Sequence, residues 1–165
     1  MNVGNDGPLD LANIRQKDVW FAGTGSAQTV YEGQGVCYNF DYGTATTAEP
    51  RRYNEVELPA GSSGNEAHFA GVLAKAYAIP AGGRIVTIYC PGSVCKVLTL
   101  AGESATIGTT VLQFNFGDNF GLFTAESDTG IGCATALQTI TGGASNQLCL
   151  AYLQEGIQSN GVDNS

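Results

Sequence analysis

The chain has 165 residues, 43% of them hydrophobic and only 13% charged, with 7 Lys+Arg against 15 Asp+Glu for a formal net charge of −8. That balance excludes binding that depends on neutralising phosphates, so neither nucleic acid nor an anionic membrane surface is expected as a partner. The apolar content excludes a disordered chain, and a charged fraction about half the globular norm of roughly 25% predicts a surface partly covered by other protein.

Residues 1–17 read as a flexible amino-terminal arm in which Leu9, Leu11 and Ile14 are spaced as a sticky stripe. This segment lacks the basic start and apolar core of a signal peptide, so synthesis and retention in a cytosol are expected. Trp20 and Phe21 follow and add the largest apolar area of the segment. With Leu9, Leu11 and Ile14 they are the candidate contacts to a partner, because buried aromatics dominate interface energetics. Packing of the arm on its own domain is the alternative.

From residue 18 to 155 the chain reads as one β domain. Glycine is abundant, at 23 residues, and turn signals recur about every ten residues: 23–26, 33–35, 43, 59–64, 80–83, 91–92, 101–102, 117–121, 128–132 and 141–146. Such spacing predicts an all-β sandwich or small barrel of short antiparallel strands. Val36, Tyr38 and Phe40 alternate with Cys37, Asn39 and Asp41, the period of a half-buried strand. Glu55 and Glu57 alternate with Val56 and Leu58; their spacing of roughly 7 Å along a strand is near a glycosidase carboxylate separation, but the pattern reads as a solvated strand face.

Residues 64–77 are ambiguous. Ser63 and Glu66 have capping-box spacing and Phe69, Val72, Leu73 and Ala76 fall at helical intervals, yet Phe69, Gly71, Leu73, Lys75, Tyr77 and Ile79 also alternate as in a strand. The runs 84–90 and 94–100 are apolar on both faces and predict two central strands, joined as a hairpin by Pro91-Gly92-Ser93. Residues 156–165 read as a flexible tail.

An internal comparison favours the strand reading of 64–77. Tyr38-Asn39-Phe40 matches Phe114-Asn115-Phe116, residues 69–74 match 131–136, and 79–83 followed by 85–89 match 140–144 followed by 148–152. The matches run in the same order, which predicts two related halves, about 28–92 and 105–155.

Chemistry-bearing residues are sparse. His68 is the single histidine and has no serine or cysteine motif beside it, so a catalytic dyad is not expected. Cys90 and Cys95 have C-x4-C spacing, but the remaining cysteines, Cys37, Cys133 and Cys149, lack the paired spacing of a zinc site. Five cysteines without a framework spacing predict buried, reduced thiols instead of a disulfide scaffold. Asp118, Glu126 and Asp128 surround a glycine-rich stretch without the offsets of a calcium loop. No enzyme activity, cofactor or metal is therefore expected.

The order of Trp20-Phe21, "VYEG" at 30–33, the strand 36–41, "FAGVLAK" at 69–75, "IPAGGRIVTIYCPG" at 79–92 and "TIGTTVLQF" at 106–114 resembles the capsid decoration, or head cement, proteins of tailed bacteriophages. The resemblance implies a small β-rich structural protein on the outer surface of a virion, bound to the major capsid protein and assembled as a homotrimer at three-fold and quasi-three-fold positions. A long loop at 43–66 and an extended second half from 117 depart from the shortest members. The same composition also suits a tail-fibre or receptor-binding module, or a small carbohydrate-binding sandwich.

Overall fold

The computed structural model describes residues 14–39, 54–59, 68–114, 121–125 and 131–159. Among them there is no helix: twelve strands form two closed five-stranded barrels and one two-stranded ribbon. The first barrel holds β1 (Gln16–Phe21), β3 (Gly35–Tyr38), β4 (Glu55–Glu57), β5 (Phe69–Leu73) and β7 (Arg84–Tyr89). The second holds β8 (Val94–Thr99), β9 (Val111–Phe114), β10 (Phe123–Ala125), β11 (Ile131–Ala136) and β12 (Gln147–Ser159). The ribbon is β2 (Gln28–Val30) against β6 (Tyr77–Ile79).

The two barrels share one connectivity. Taken in chain order, the first and third strands of each pair in parallel, β1 with β4 and β8 with β10. The other four pairings of each are antiparallel and join corresponding strands. Even the irregularity is repeated, because the β3–β5 ladder shifts register at Val36/Cys37 and the equivalent β9–β11 ladder at Gly132/Ala134. An antiparallel bridge between Ala105 and Ile140 stands where the ribbon stands in the first barrel. Of the internal sequence matches, 85–89 and 148–152 fall on β7 and β12 in the same register, and 69–74 and 131–136 fall on β5 and β11 one residue out of register; the first touches only the last residues of β3 and β9, and Phe40, Asn115 and Phe116 lie outside the described residues. The related halves expected from the sequence are two barrels of the same topology.

Several boundaries differ from the expectation. Strand β1 begins at Gln16, so the last two residues assigned to the arm are barrel residues, and β12 runs to Ser159, four residues into the segment read as a tail. The halves lie within 16–89 and 94–159. Strands β7 and β8 do not form a hairpin: β7 lies between β1 and β5, and β8 between β10 and β12. The turn 91–93 instead carries the chain from one barrel to the other. Buried Ser93 holds this crossover, its Oγ donating to the Arg15 carbonyl at 3.0 Å and accepting from the Arg15 N–H at 2.9 Å. The Gly92 N–H donates to the Leu153 carbonyl at 2.7 Å, and the Leu153 N–H returns to Ser93 O at 2.8 Å. Side-chain patterning alone does not distinguish a hairpin turn from such a link.

Where the sequence allowed helix or strand, residues 69–73 are strand and 64–67 lie outside the described residues. All five residues of β5 are buried because each face meets a different core. Ala70 and Leu73 join Val19, Phe21, Val36, Val56, Val86 and Ile88 inside the first barrel, whereas Phe69 and Val72 point outward. With Cys37 and Tyr89 they pack on Cys95, Val97, Leu112, Phe123, Cys149 and Leu153 of the second barrel. Phe69 and Phe123 meet edge to face, with centroids 6.2 Å apart, a geometry that aligns the positive ring edge with the negative ring face. The barrels therefore share a continuous apolar seam.

Candidate interaction surface

The candidate contact residues do not form one set. Leu9 and Leu11 lie outside the described residues, and Ile14 is half-buried just before β1. Phe21 has no exposed surface and belongs to the first barrel's core, so it cannot anchor a partner, contrary to the expectation. Alternation along β1 explains this: Val19 and Phe21 face inward, Asp18 and Trp20 outward. Trp20 is half-buried and lies opposite Ile85 in the β1–β7 ladder.

The residues weighed for chemistry are dispersed. His68 is exposed at the start of β5, its carbonyl accepting from the Tyr38 N–H at 2.9 Å. Asp118, Glu126 and Asp128 lie outside the described residues. Cys95 is buried within the second barrel, while Cys90 is half-buried at the crossover. No disulfide joins any of the five cysteines. Burial pushes the Cys95 thiol up to about 12 and also raises that of Cys149, where a hydrogen bond with the Gln138 backbone opposes the shift. Burial raises Cys90 as well, against the lowering pull of nearby Lys17 and Arg15.

Glu55 corrects a second expectation. It is fully buried, not part of a solvated face, and Glu57 is half-buried. Asn39 donates its side-chain N–H to Glu55 Oε1 at 3.4 Å and its backbone N–H to the Glu55 carbonyl at 3.0 Å. β4 lies between β1 and β3 in the closed barrel, so alternating acids do not report exposure there. With no exposed surface, Glu55 offers no carboxylate to a substrate beside Glu57, as a glycosidase pair requires.

What the sequence did not single out is the placement of the exposed apolar side chains. Among the described residues the large ones are Tyr31 at 56%, Ile85 at 61%, Ile107 at 58% and Leu148 at 37%. They occupy two kinds of position, each present once per barrel. Ile85 is the second residue of β7, opposite Trp20, and Leu148 the second of β12, opposite Leu98. From there both strands share one burial sequence: exposed at 85 and 148, buried at 86 and 149, half-buried at 87 and 150, buried at 88 and 151, half-buried at 89 and 152. Tyr31 and Ile107 each stand in the turn before the second barrel strand, seven residues before Tyr38 and Phe114, the residues that end β3 and β9.

One of each kind already meets within the chain. The turn 31–34 lies alongside β8, where the Leu98 N–H donates to the Gly33 carbonyl at 2.8 Å. Gly33 has φ +82°, and a Cβ there would lie 2.7 Å from Leu98 N and 2.8 Å from Leu148 Cδ2, so only glycine permits this approach. A second backbone bond crosses the seam nearby, from the Gly35 N–H to the Gly121 carbonyl at 2.8 Å. Tyr31, Glu32, Ala76, Leu98, Asn146 and Leu148 line the resulting groove of about 440 Å³. Comparison with known proteins finds no matching family model, curated protein or solved structure.

Proposed function

We propose that this chain is a non-catalytic structural protein that decorates the outer surface of a phage capsid as a homotrimer and stabilises it by bridging major capsid protein subunits. The supporting observation is a charge-poor double barrel, locked by a shared core, whose exposed large apolar side chains recur at matched places in the two halves. A rigid body with repeated sticky positions suits a lattice, which offers the same contact many times over. Packaged DNA presses a thin shell outward, and a body held at several points opposes separation because its contacts must break together. Once the first has formed, each further contact is effectively intramolecular.

The arm adds reach. Leu9, Leu11 and Ile14, with half-buried Trp20 at the first strand, form the set assigned to contact with capsid or neighbouring subunit; Phe21 is left out because its side chain is internal. The test is co-sedimentation of the purified chain with expanded heads lacking their decoration protein, scored by occupancy and by the temperature at which the heads rupture. Saturable binding that raises the rupture temperature is expected, with occupancy reduced by deletion of residues 2–13 or by Trp20→Ala. Absence of binding by the intact chain would remove the proposal, and unchanged binding by both variants would remove the arm from it.

A further inference from the structure

We propose that the groove at the seam between the barrels binds a neutral saccharide, with one pyranose unit seated on Tyr31 and held at its rim by Glu32 and Asn146. This is a ligand-binding activity beyond the structural role, and it does not depend on the capsid reading.

At about 440 Å³ the groove falls within the ordinary size of small-molecule sites, roughly 300–1,000 Å³. Its walls come from different barrels: Tyr31 and Glu32 from the first, Leu98, Ser145, Asn146 and Leu148 from the second. Both walls are fixed by bonds within the chain. On one side the Tyr31 N–H donates to Gln34 Oε1 at 2.6 Å, the Gly33 N–H to the Leu73 carbonyl at 3.0 Å and the Leu73 N–H to the Gln34 carbonyl at 2.9 Å. On the other, Gln147 Nε2 donates to the Thr141 carbonyl at 3.0 Å and the Ala101 N–H donates to Asn146 Oδ1 at 2.9 Å. A preformed site loses little freedom when it is filled.

The chemistry of the lining selects the ligand. Tyr31 at 56% and Leu148 at 37% exposure offer an apolar surface, and the negative face of the tyrosine ring attracts the positive hydrogens of C–H groups. Beside this surface stand polar groups that the protein itself does not use. No hydrogen bond among the described residues engages the Tyr31 hydroxyl, the Glu32 carboxylate or the Ser145 hydroxyl. Asn146 already accepts through Oδ1, so its two side-chain N–H groups remain as donors. A pyranose divides its surface in the same way, into a face of C–H groups and a rim of hydroxyls. Two neighbouring hydroxyls can donate to the two oxygens of Glu32 while a third accepts from Asn146.

Other ligand classes match the lining less well. Glu32 is the one charged residue among the described lining residues, in a chain of net charge −8, which disfavours phosphorylated and other anionic molecules. A cation would use Tyr31 and Glu32 but would leave the Asn146 donors without an acceptor. An extended peptide has no strand edge to join here, because β8 lies between β10 and β12 and the Leu98 N–H is taken by the Gly33 carbonyl. The corresponding turn of the second barrel has Ile107-Gly108 in place of Tyr31-Glu32, so it lacks both ring and carboxylate.

The experiment is saturation-transfer difference NMR on the full chain, followed by titration calorimetry. The probes are the methyl glycosides of glucose, galactose, mannose and N-acetylglucosamine, with N-acetylneuraminic acid and choline as anionic and cationic comparisons. At least one neutral glycoside is expected to bind with a millimolar dissociation constant, as suits a single ring and a few hydrogen bonds. Amide shifts in the unsubstituted protein are expected to centre on 31–33, 98 and 145–148. Tyr31→Ala and Glu32→Gln should each weaken binding about tenfold, as for loss of an anchoring contact, and Ile107→Ala should leave it unchanged. The proposal is overturned if no neutral glycoside binds, if the acid or choline binds more tightly than every glycoside, or if both Tyr31→Ala and Glu32→Gln keep wild-type affinity. Amide shifts that spare 31–33 and 145–148 would overturn it as well, and that measurement needs no variant to fold. No heads enter the assay, so failure of this site and failure of capsid binding are separate results.

Discussion

Replacing Gly33 with alanine probes the seam between the barrels, and Gly25 supplies its control. Both glycines are left-handed, with φ +82° and +81°, but a Cβ at Gly25 meets nothing within 4 Å whereas one at Gly33 presses on the backbone of β8. The backbone cost of a left-handed alanine, about 1–2 kcal/mol, is therefore common to both substitutions. At Gly33 a contact of 2.7 Å with Leu98 N forces the turn away and weakens the bond from Leu98 N–H to Gly33 O, a loss of about 1 kcal/mol. Loosened packing against Leu148 adds about 1 kcal/mol more by the cost of exposing roughly one methylene. Gly33→Ala should thus destabilise by about 2 kcal/mol more than Gly25→Ala, or roughly 4–8 °C in Tm for a chain of this size. Urea unfolding followed by tryptophan fluorescence, with Trp20 as the single reporter, measures the difference. Equal losses in the two variants would refute the reasoning, since they would mean that the seam yields without cost.

Phe123→Ala removes the ring that meets Phe69 across the seam and should cost about 3–5 kcal/mol, as for large core deletions; a loss under about 1 kcal/mol by chemical denaturation would contradict the shared core. Ser93→Ala takes away both bonds to the Arg15 backbone and should cost about 1–3 kcal/mol, with faster hydrogen exchange at Cys90, whose N–H is bonded to the Arg15 carbonyl. At pH 8 half-buried Cys90 should react first with a thiol reagent while the four buried cysteines wait for unfolding; two or more fast thiols, or a fast phase that survives Cys90→Ser, would contradict this. The Cys95 thiol, raised from 9.0 to about 12 in the folded state, contributes stability that is fully present below pH 9 and lost as pH rises towards 12. Cys95→Ala should therefore flatten the fall in stability over that window.

Period-two alternation, glycine-marked turns and three ordered matches were enough to read an all-β chain in two related halves. These signals are local: a strand's pleat and a turn's positive φ are set by residues a few positions apart. What lay beyond them was decided by contacts remote in sequence. The segments 36–41 and 69–73 alternate like half-exposed strands, but the second barrel covers the outer face of β3 and β5, so Cys37, Phe69 and Val72 are interior. Residues 84–90 look apolar on both faces, yet Ile85 is 61% exposed. Alternation tells which residues share a face and not which face meets another body. For the same reason Glu55 reads as solvated and is buried, and the turn 91–93 reads as a hairpin and is a crossover.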